Sequence, residues 1–380
     1  MDDKLMLMIP GPTPVPERVL LAMAKHTIGH RTADFSAIAR DVTEGLQWLH
    51  QTQNDVLVVA ASGTGAMEAG MINFLSGGDR ILAGNNGKFG DRWVEMARAF
   101  GLEVEEVTAE WGKPLDPAEF KAKLDADPSI KAVIVTHSET STGVTNDLET
   151  IAGYVKAHGA LMIVDAVTSI GATNVPVDDW GLDVVASGSQ KGYMMPPGLG
   201  FIAVSEKAWQ AYDQATLPKF YFDLGVYRKN AKKDLTPFTP PVNLYFALQA
   251  ALGMMRQEGL ESIFARHLRL RNATRAAMVA IGLPLFAADE VASTAATAVL
   301  GTDSVDAAQV IKQCQSRFDM SLAGGQDHLK GKIFRMGHLG FMGDRDILTA
   351  TAAIEAIARQ LGQDFAPGAG VAAAAQILMG

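Results

Sequence analysis

Lys191 stands in the segment SGSQKG (187–192), just past the apolar run VVASG (184–188), and Asp165 closes another such run, ALMIVD (160–165). A lysine held among small residues at a strand end, close to another cation, can lose its proton below the ordinary lysine range and add to a carbonyl as a Schiff base. A carboxylate at the carboxyl edge of a sheet lies where α/β proteins bind ligands. There it can pair with a protonated ring nitrogen. Upstream, SGTG (62–65) follows VLVVAA (56–61) and opens a helical pattern, so the amides of Thr64, Gly65 and Ala66 together with the helix dipole could hold a phosphate. Phe89, in NNGKFG, follows the run RILAGN (80–85) and could stack on a flat heterocycle. Arg335, in KIFRMGH on a strand-like segment, carries the planar fork that suits a substrate carboxylate.

Each feature has an ordinary structural explanation when taken alone. The SGTG loop could be a glycine-rich helix cap, Asp165 a helix N-cap, Lys191 a solvated lysine in a loop, Phe89 a core residue and Arg335 half of a structural ion pair. Their order along the chain is what argues for one site. Phosphate loop, stacking ring, ring-nitrogen partner, lysine and carboxylate clamp together describe a site for pyridoxal 5'-phosphate. MMPPG (194–198) follows the lysine and imposes extended backbone behind it, which a positioned lysine needs.

The elements that must position these residues are legible. The apolar runs at 56–61, 80–85, 131–136, 160–165, 184–188 and 200–205 alternate with helical patterns at 65–74, 90–100, 117–124 and 147–158, the last ending at Gly159. Continuous apolar runs of this length predict strands buried on both faces of a mainly parallel sheet, hence a three-layer αβα domain. DLTPFTPPVN (234–243) holds three prolines and must be an extended connection. A helical pattern longer than 30 residues follows it, with Gly259 interrupting or bending it. TAVLG, SVDAAQVIKQCQSRF, GKIFRMGH and RDILTATAAIEAIARQLG then predict a smaller α+β domain. The expected division is an N-terminal arm (1–20), a large cofactor-binding domain (21–255) and a small C-terminal domain (256–380). The tail FAPGAGVAAAAQILMG, low in complexity, is expected to be mobile or to dock on a neighbour.

Composition sets the outer limits. With 380 residues, 48% of them hydrophobic, the chain can bury a sizeable core in two or three domains. A formal net charge of −9 and a pI near 5.4 disfavour nucleic acid and anionic membranes as partners and favour small-molecule substrates. The single cysteine, Cys314, excludes an intrachain disulfide and lies in a helical pattern rather than a metal or redox motif. No apolar stretch approaches a membrane span, and Leu5 to Ile9 is too short for a signal segment, so a cytoplasmic location is expected.

Taken together the motifs resemble the class V aminotransferases, in particular the alanine/serine–glyoxylate aminotransferase group. PGPTPVP (10–16), GHR (29–31), SGTGAMEA (62–69), GKFG, HSETSTG (137–143), IVDAVTS (163–169), SGSQKG, TPPVN (239–243) and FRMGHLG (334–340) carry the resemblance along nearly the whole chain. It implies a fold-type I pyridoxal-phosphate enzyme with Lys191 as Schiff-base lysine and proton carrier, Asp165 on the pyridine nitrogen and Phe89 stacked on the ring. It further implies a Thr140 hydroxyl near the phenolic oxygen and phosphate contacts from Thr64, Gly65, Ala66 and Gln190. Thr239 would reach the partner's phosphate across a homodimer interface, and Arg335 would clamp the substrate carboxylate, with Arg31 as the next candidate. Where relatives often carry Trp and Ser, this chain has Phe89 and Thr140. The implied reaction moves an amino group from alanine or serine to a 2-oxo acid such as glyoxylate by ping-pong turnover. A class V lyase of the desulfurase type, or a complex subunit that keeps the fold, is the alternative, and no metal is expected.

Overall fold

The structure, a computed structural model, describes residues 5–380, so the first four residues of the expected arm lie outside it. Seven strands form the main sheet: β1 (Asp55–Ala61), β2 (Arg80–Asn85), β3 (Glu103–Thr108), β4 (Ala132–Thr136), β5 (Leu161–Asp165), β6 (Val184–Gly188) and β7 (Gly198–Val204). Their spatial order is β1-β7-β6-β5-β4-β2-β3. Every residue of β4, β5 and β6 is buried, as continuous apolar runs require. Alternate residues feed two different cores: Val133, Val135, Met162 and Val164 join one, and Ala132, Ile134, Leu161 and Ile163 join the other. The main body is therefore a three-layer αβα sandwich.

Only β7 runs against the others, pairing antiparallel with both β1 and β6. The cause is connection length, because residues 189–197 form a loop too short for the crossover of a dozen or more residues that a parallel pair needs. That loop carries Lys191. β3 is an edge strand of sequence EVEEVT; with three acidic residues it lacks the apolar run that marks the other strands.

The helical stretch after the proline-rich connection is two helices, Val242–Glu258 and Leu260–Ala280, parted at Gly259 with φ of +82°. Glycine is the residue that takes this backbone without strain. The first helix packs in the core that holds Val133 and Val164, and the second joins a third core with residues of the strands Ala296–Leu300 (β8) and Ile333–Gly337 (β10); with Ala323–Gly324 (β9) these form a small antiparallel sheet of order β8-β10-β9. The C-terminal tail is a helix, Ala369–Met379, packed within the chain on Leu260–Ala280 and Asp344–Gln360 rather than mobile or docked elsewhere. Its alanine run favours helix, and the Glu355 carboxylate accepts from the amides of Gly370 (3.0 Å) and Val371 (3.2 Å) in its first turn.

The N-terminal segment joins the two bodies. Met6–Leu7 pairs in parallel with Met320–Ser321, and Met8 is buried in the third core. Further along, the Thr13 amide donates to Gln190 O (3.0 Å) and the Thr13 hydroxyl to Lys191 O (3.0 Å). The arm thus runs from the small sheet onto the lysine loop.

Candidate active site

Strand ends and helix starts of the main sheet converge on one cavity of about 170 Å³, lined among others by Thr64, Phe89, Thr140, Asp165, Gln190 and Lys191. Lys191 Nζ donates to Pro10 O (2.7 Å), so the N-terminal segment covers the lysine. Gly11, at φ +135°, lies so close that a Cβ there would fall 2.4 Å from Lys191 Nζ, and only glycine fits. Burial pushes the lysine pKa down to about 8, Arg335 and Arg92 push the same way, and Asp165 opposes them. At pH 7 about one amine in ten is then neutral, against about one in three thousand at an ordinary pKa of 10.5.

The sign follows directly: the nucleophilic fraction grows as pH rises through about 8. In cofactor-free protein the rate of borohydride-trapped labelling of Lys191 by pyridoxal phosphate is expected to rise about tenfold per pH unit below that value and to level off above it. A rate still climbing at that slope beyond pH 9.5 would mean an unperturbed lysine.

Asp165 ends β5, buried, with its Oδ1 accepting the Val167 amide at 2.9 Å. Burial pushes its pKa up to about 6, while the Val167 amide, Lys191 and Arg92 pull the other way. A protonated ring nitrogen would add a further cation beside it. Phe89 lies in the first turn of the helix Lys88–Ala99 (α2), the Arg92 guanidinium standing 4.9 Å from its ring centroid.

The phosphate cradle differs in detail from the expected trio. The helix Gly63–Ile72 (α1) begins two residues earlier than its pattern suggests because Ser62 caps it, its hydroxyl accepting the Gly65 amide at 3.3 Å. The Ala66 amide donates to Ser62 O inside the first helical turn. Gly63 and Thr64, the first two helical positions, line the cavity, and first-turn amides have no partner within the helix. Gln190 lines the same cavity with its side-chain oxygen buried and without a hydrogen-bond partner.

Arg335 does not line this cavity. It sits on β10, 8% exposed, with Nε and Nη2 donating to Gly324 O and Nη1 donating to Thr140 O (2.8 Å), so it stands directly behind a lining residue. Three of its five N–H groups are used and two remain. Arg31 is committed elsewhere, on Thr236 O (2.7 Å) and Pro237 O (3.3 Å). Thr239 is exposed and lies apart from the cavity of its own chain. Cys314 is buried in the helix Ala307–Phe318 with its thiol pKa pushed up to about 12 by burial. Among the described residues, no group of three or more His, Cys, Asp or Glu is placed to hold a metal.

Two functional side chains escaped the sequence reading. Arg92 lines the cavity and donates to the Thr64 hydroxyl at 3.1 Å. It lies one helical turn past Phe89, a spacing from which its position could have been read. Glu139, within HSETSTG, is fully buried and holds the start of α2. Its segment is one of the motifs that carry the family resemblance, but nothing in that motif singles out the glutamate.

A lysine whose pKa burial lowers, a buried strand-end carboxylate, an aromatic ring and a helix N-terminus around one cavity make the donor set that pyridoxal phosphate requires, and the buried side-chain oxygen of Gln190 has no hydrogen-bond partner in the same place. On an αβα sheet these features define a pyridoxal-phosphate-dependent transferase of fold-type I. The particular family is the aminotransferase class-V family: its model matches residues 6–330, the chain belongs to it, and its cofactor is pyridoxal phosphate. The chain is 67% identical to the soluble hydrogenase 42 kDa subunit of Anabaena cylindrica, over 99% of both chains. It is 38% identical to the serine–glyoxylate aminotransferase of Methylorubrum extorquens, covering 98% of this chain and 95% of that one. Among solved structures, ureidoglycine–glyoxylate aminotransferase of Bacillus subtilis superposes with a TM-score of 0.96 at 28% identity, covering 100% of this chain and 99% of that one.

Proposed function

We propose that this protein moves an amino group from a small amino acid, alanine or serine, to a 2-oxo acid, with glyoxylate as the preferred acceptor. The observation that carries the reading is the convergence of Lys191 and Asp165 on one small cavity with the Arg335 guanidinium behind its wall. Glyoxylate stands in the names of both aminotransferases compared above. When bound, pyridoxal phosphate supplies a carbonyl for the Lys191 amine and an electron-withdrawing ring for the electrons of the substrate Cα bond. With the cofactor bound, Lys191 would take the Cα proton at Nζ and pass it on to a position other than Cα, so one residue would be both anchor and base. Asp165 keeps the ring nitrogen protonated, and Phe89 and Thr140 hold the ring's face and edge. Gly63 and Thr64 at the helix start bind the phosphate together with Gln190, the expected Gly65 and Ala66 amides being held by Ser62, and Arg335 takes the substrate carboxylate. Thr239, exposed on the proline-rich connection, completes the phosphate site of a second copy in a homodimer.

The test is a half-reaction screen. Alanine and serine are expected to remove the cofactor's absorbance band, glyoxylate to restore it, and equilibrium sedimentation to give a dimer. Retention of the band with both donors would overturn the reading, as would sulfide release from cysteine, the mark of a desulfurase. Cys314 does not favour the latter, since a buried thiol on a helix supplies no mobile thiolate.

The name of the Anabaena relative favours a second reading, a subunit of a larger complex that retains the fold. In that case any hydrogen chemistry would belong to partner chains. Recovery of the native protein at dimer size with transaminase activity would decide against it.

A further inference from the structure

Glu139 is 0% exposed, and no step above uses it. Its Oε2 accepts the amides of Phe89 (2.9 Å) and Gly90 (3.1 Å), while its Oε1 accepts the Ser141 amide (3.1 Å) and the Ser141 hydroxyl. That hydroxyl in turn accepts the Lys88 amide at 3.0 Å. The start of α2 has no cap of its own, because Gly87 offers no side chain and a Cβ there would lie 2.4 Å from the Glu139 carboxyl carbon. A carboxylate from another element therefore fills the place of the missing N-cap, where the helix dipole favours negative charge. Burial is the larger influence and holds the carboxyl pKa above the ordinary glutamate value, while the four donors pull it back down. Three of the four groups on its oxygens are backbone amides, which can only donate, and the fourth, the Ser141 hydroxyl, donates as well while accepting the Lys88 amide, so the ionised form is the one this geometry holds.

The consequence lies in what these contacts carry. Phe89 hangs from one of the amides, Thr140 is the next residue in the chain, and Arg335, bonded to Thr140 O, feels the Glu139 charge. We infer that Glu139 is a positioning residue for the cofactor: as a buried carboxylate it fixes the stacking ring of Phe89, the Thr140 hydroxyl and the Arg335 guanidinium in register with one another. This rests on the reading of the cavity as a pyridoxal-phosphate site.

Glu139→Gln tests it, since the amide keeps the shape but turns an NH₂ toward at least one backbone amide that can only donate. Leaving buried donors unmatched should raise the dissociation constant of pyridoxal phosphate about 5- to 150-fold, read by quenching of protein fluorescence in the cofactor-free form. The circular dichroism induced in the cofactor's absorbance band should shrink, because that signal follows how the ring is held. A purely structural residue would instead lower the melting temperature with both signals within twofold of the parent, and that result overturns the inference. If Glu139→Gln does not fold, Glu139→Asp, which keeps the charge on a shorter arm, is measured by the same criteria. Failure of both to fold also overturns it, by making Glu139 a determinant of the fold. Absence of cofactor uptake by the unaltered protein would defeat the site reading itself, a different outcome from unaltered uptake by the variant.

Discussion

Lys191→Ala is expected to purify folded and to lose transaminase activity by a factor on the order of 10⁴ to 10⁶. Two roles disappear at once, the covalent hold on the cofactor and the proton carrier at Nζ, and no second lysine lines the cavity to take up either. Folding should survive, because the lost contact is one hydrogen bond to Pro10 O and an amine whose charged form burial already disfavours. Borohydride reduction of the loaded parent protein followed by peptide mapping checks the assignment independently. A pyridoxyl group on any other lysine would overturn it.

The second large effect concerns Arg335. Small substrates such as alanine and glyoxylate offer few handles besides a carboxylate, so a fixed cationic fork must supply most of their orientation. Arg335 suits the task because Gly324 O and Thr140 O already hold its plane, leaving donors free on a rigid frame. Lysine has neither the plane nor the fork. Arg335→Lys should weaken the use of donor and acceptor alike, by about 2 to 5 kcal/mol of transition-state binding if the pair is desolvated. The cofactor's absorbance should stay as in the parent protein. Steady-state kinetics with both substrates decide the matter, and near-parental kcat/KM for both would move the clamp elsewhere. Arg31 is then a poor substitute, its fork being spent on Thr236 and Pro237, and Arg92 becomes the next residue to test.

How far the sequence could be read depended on what each element answers to. Strands buried on both faces must be apolar throughout, so β4, β5 and β6 were visible as uninterrupted runs. The edge strand β3 meets no such demand and, with three glutamates, looked like nothing in particular. Residues at the ends of visible strands were therefore easy to place, Asp165 and Lys191 above all. Arg92 and Glu139 were missed because their roles come from contacts between segments about 30 to 50 positions apart, with Thr64 and with Phe89. Ala66 shows a subtler limit, since its amide was available only on the assumption that Ser62 did not start the helix early. The C-terminal tail was harder still. Alanine-rich composition fits mobility as well as helix, and the carboxylate that caps it belongs to Glu355, in a different helix.

The arm that begins beside Met320 and ends over Lys191 has a consequence for synthesis on the ribosome. Met6 and Leu7 leave the exit tunnel well before the strand they pair with, which is made about 300 residues later. At about 5 to 20 residues per second, that is a wait of roughly 15 to 60 seconds. During this time the αβα body can assemble while the arm hangs loose and the lysine loop stays open on one side. A nascent chain halted before Met320 is thus expected to expose Lys191 to reagents that the released protein excludes, so loading with cofactor can begin before the polypeptide is complete and the arm can close over it afterwards.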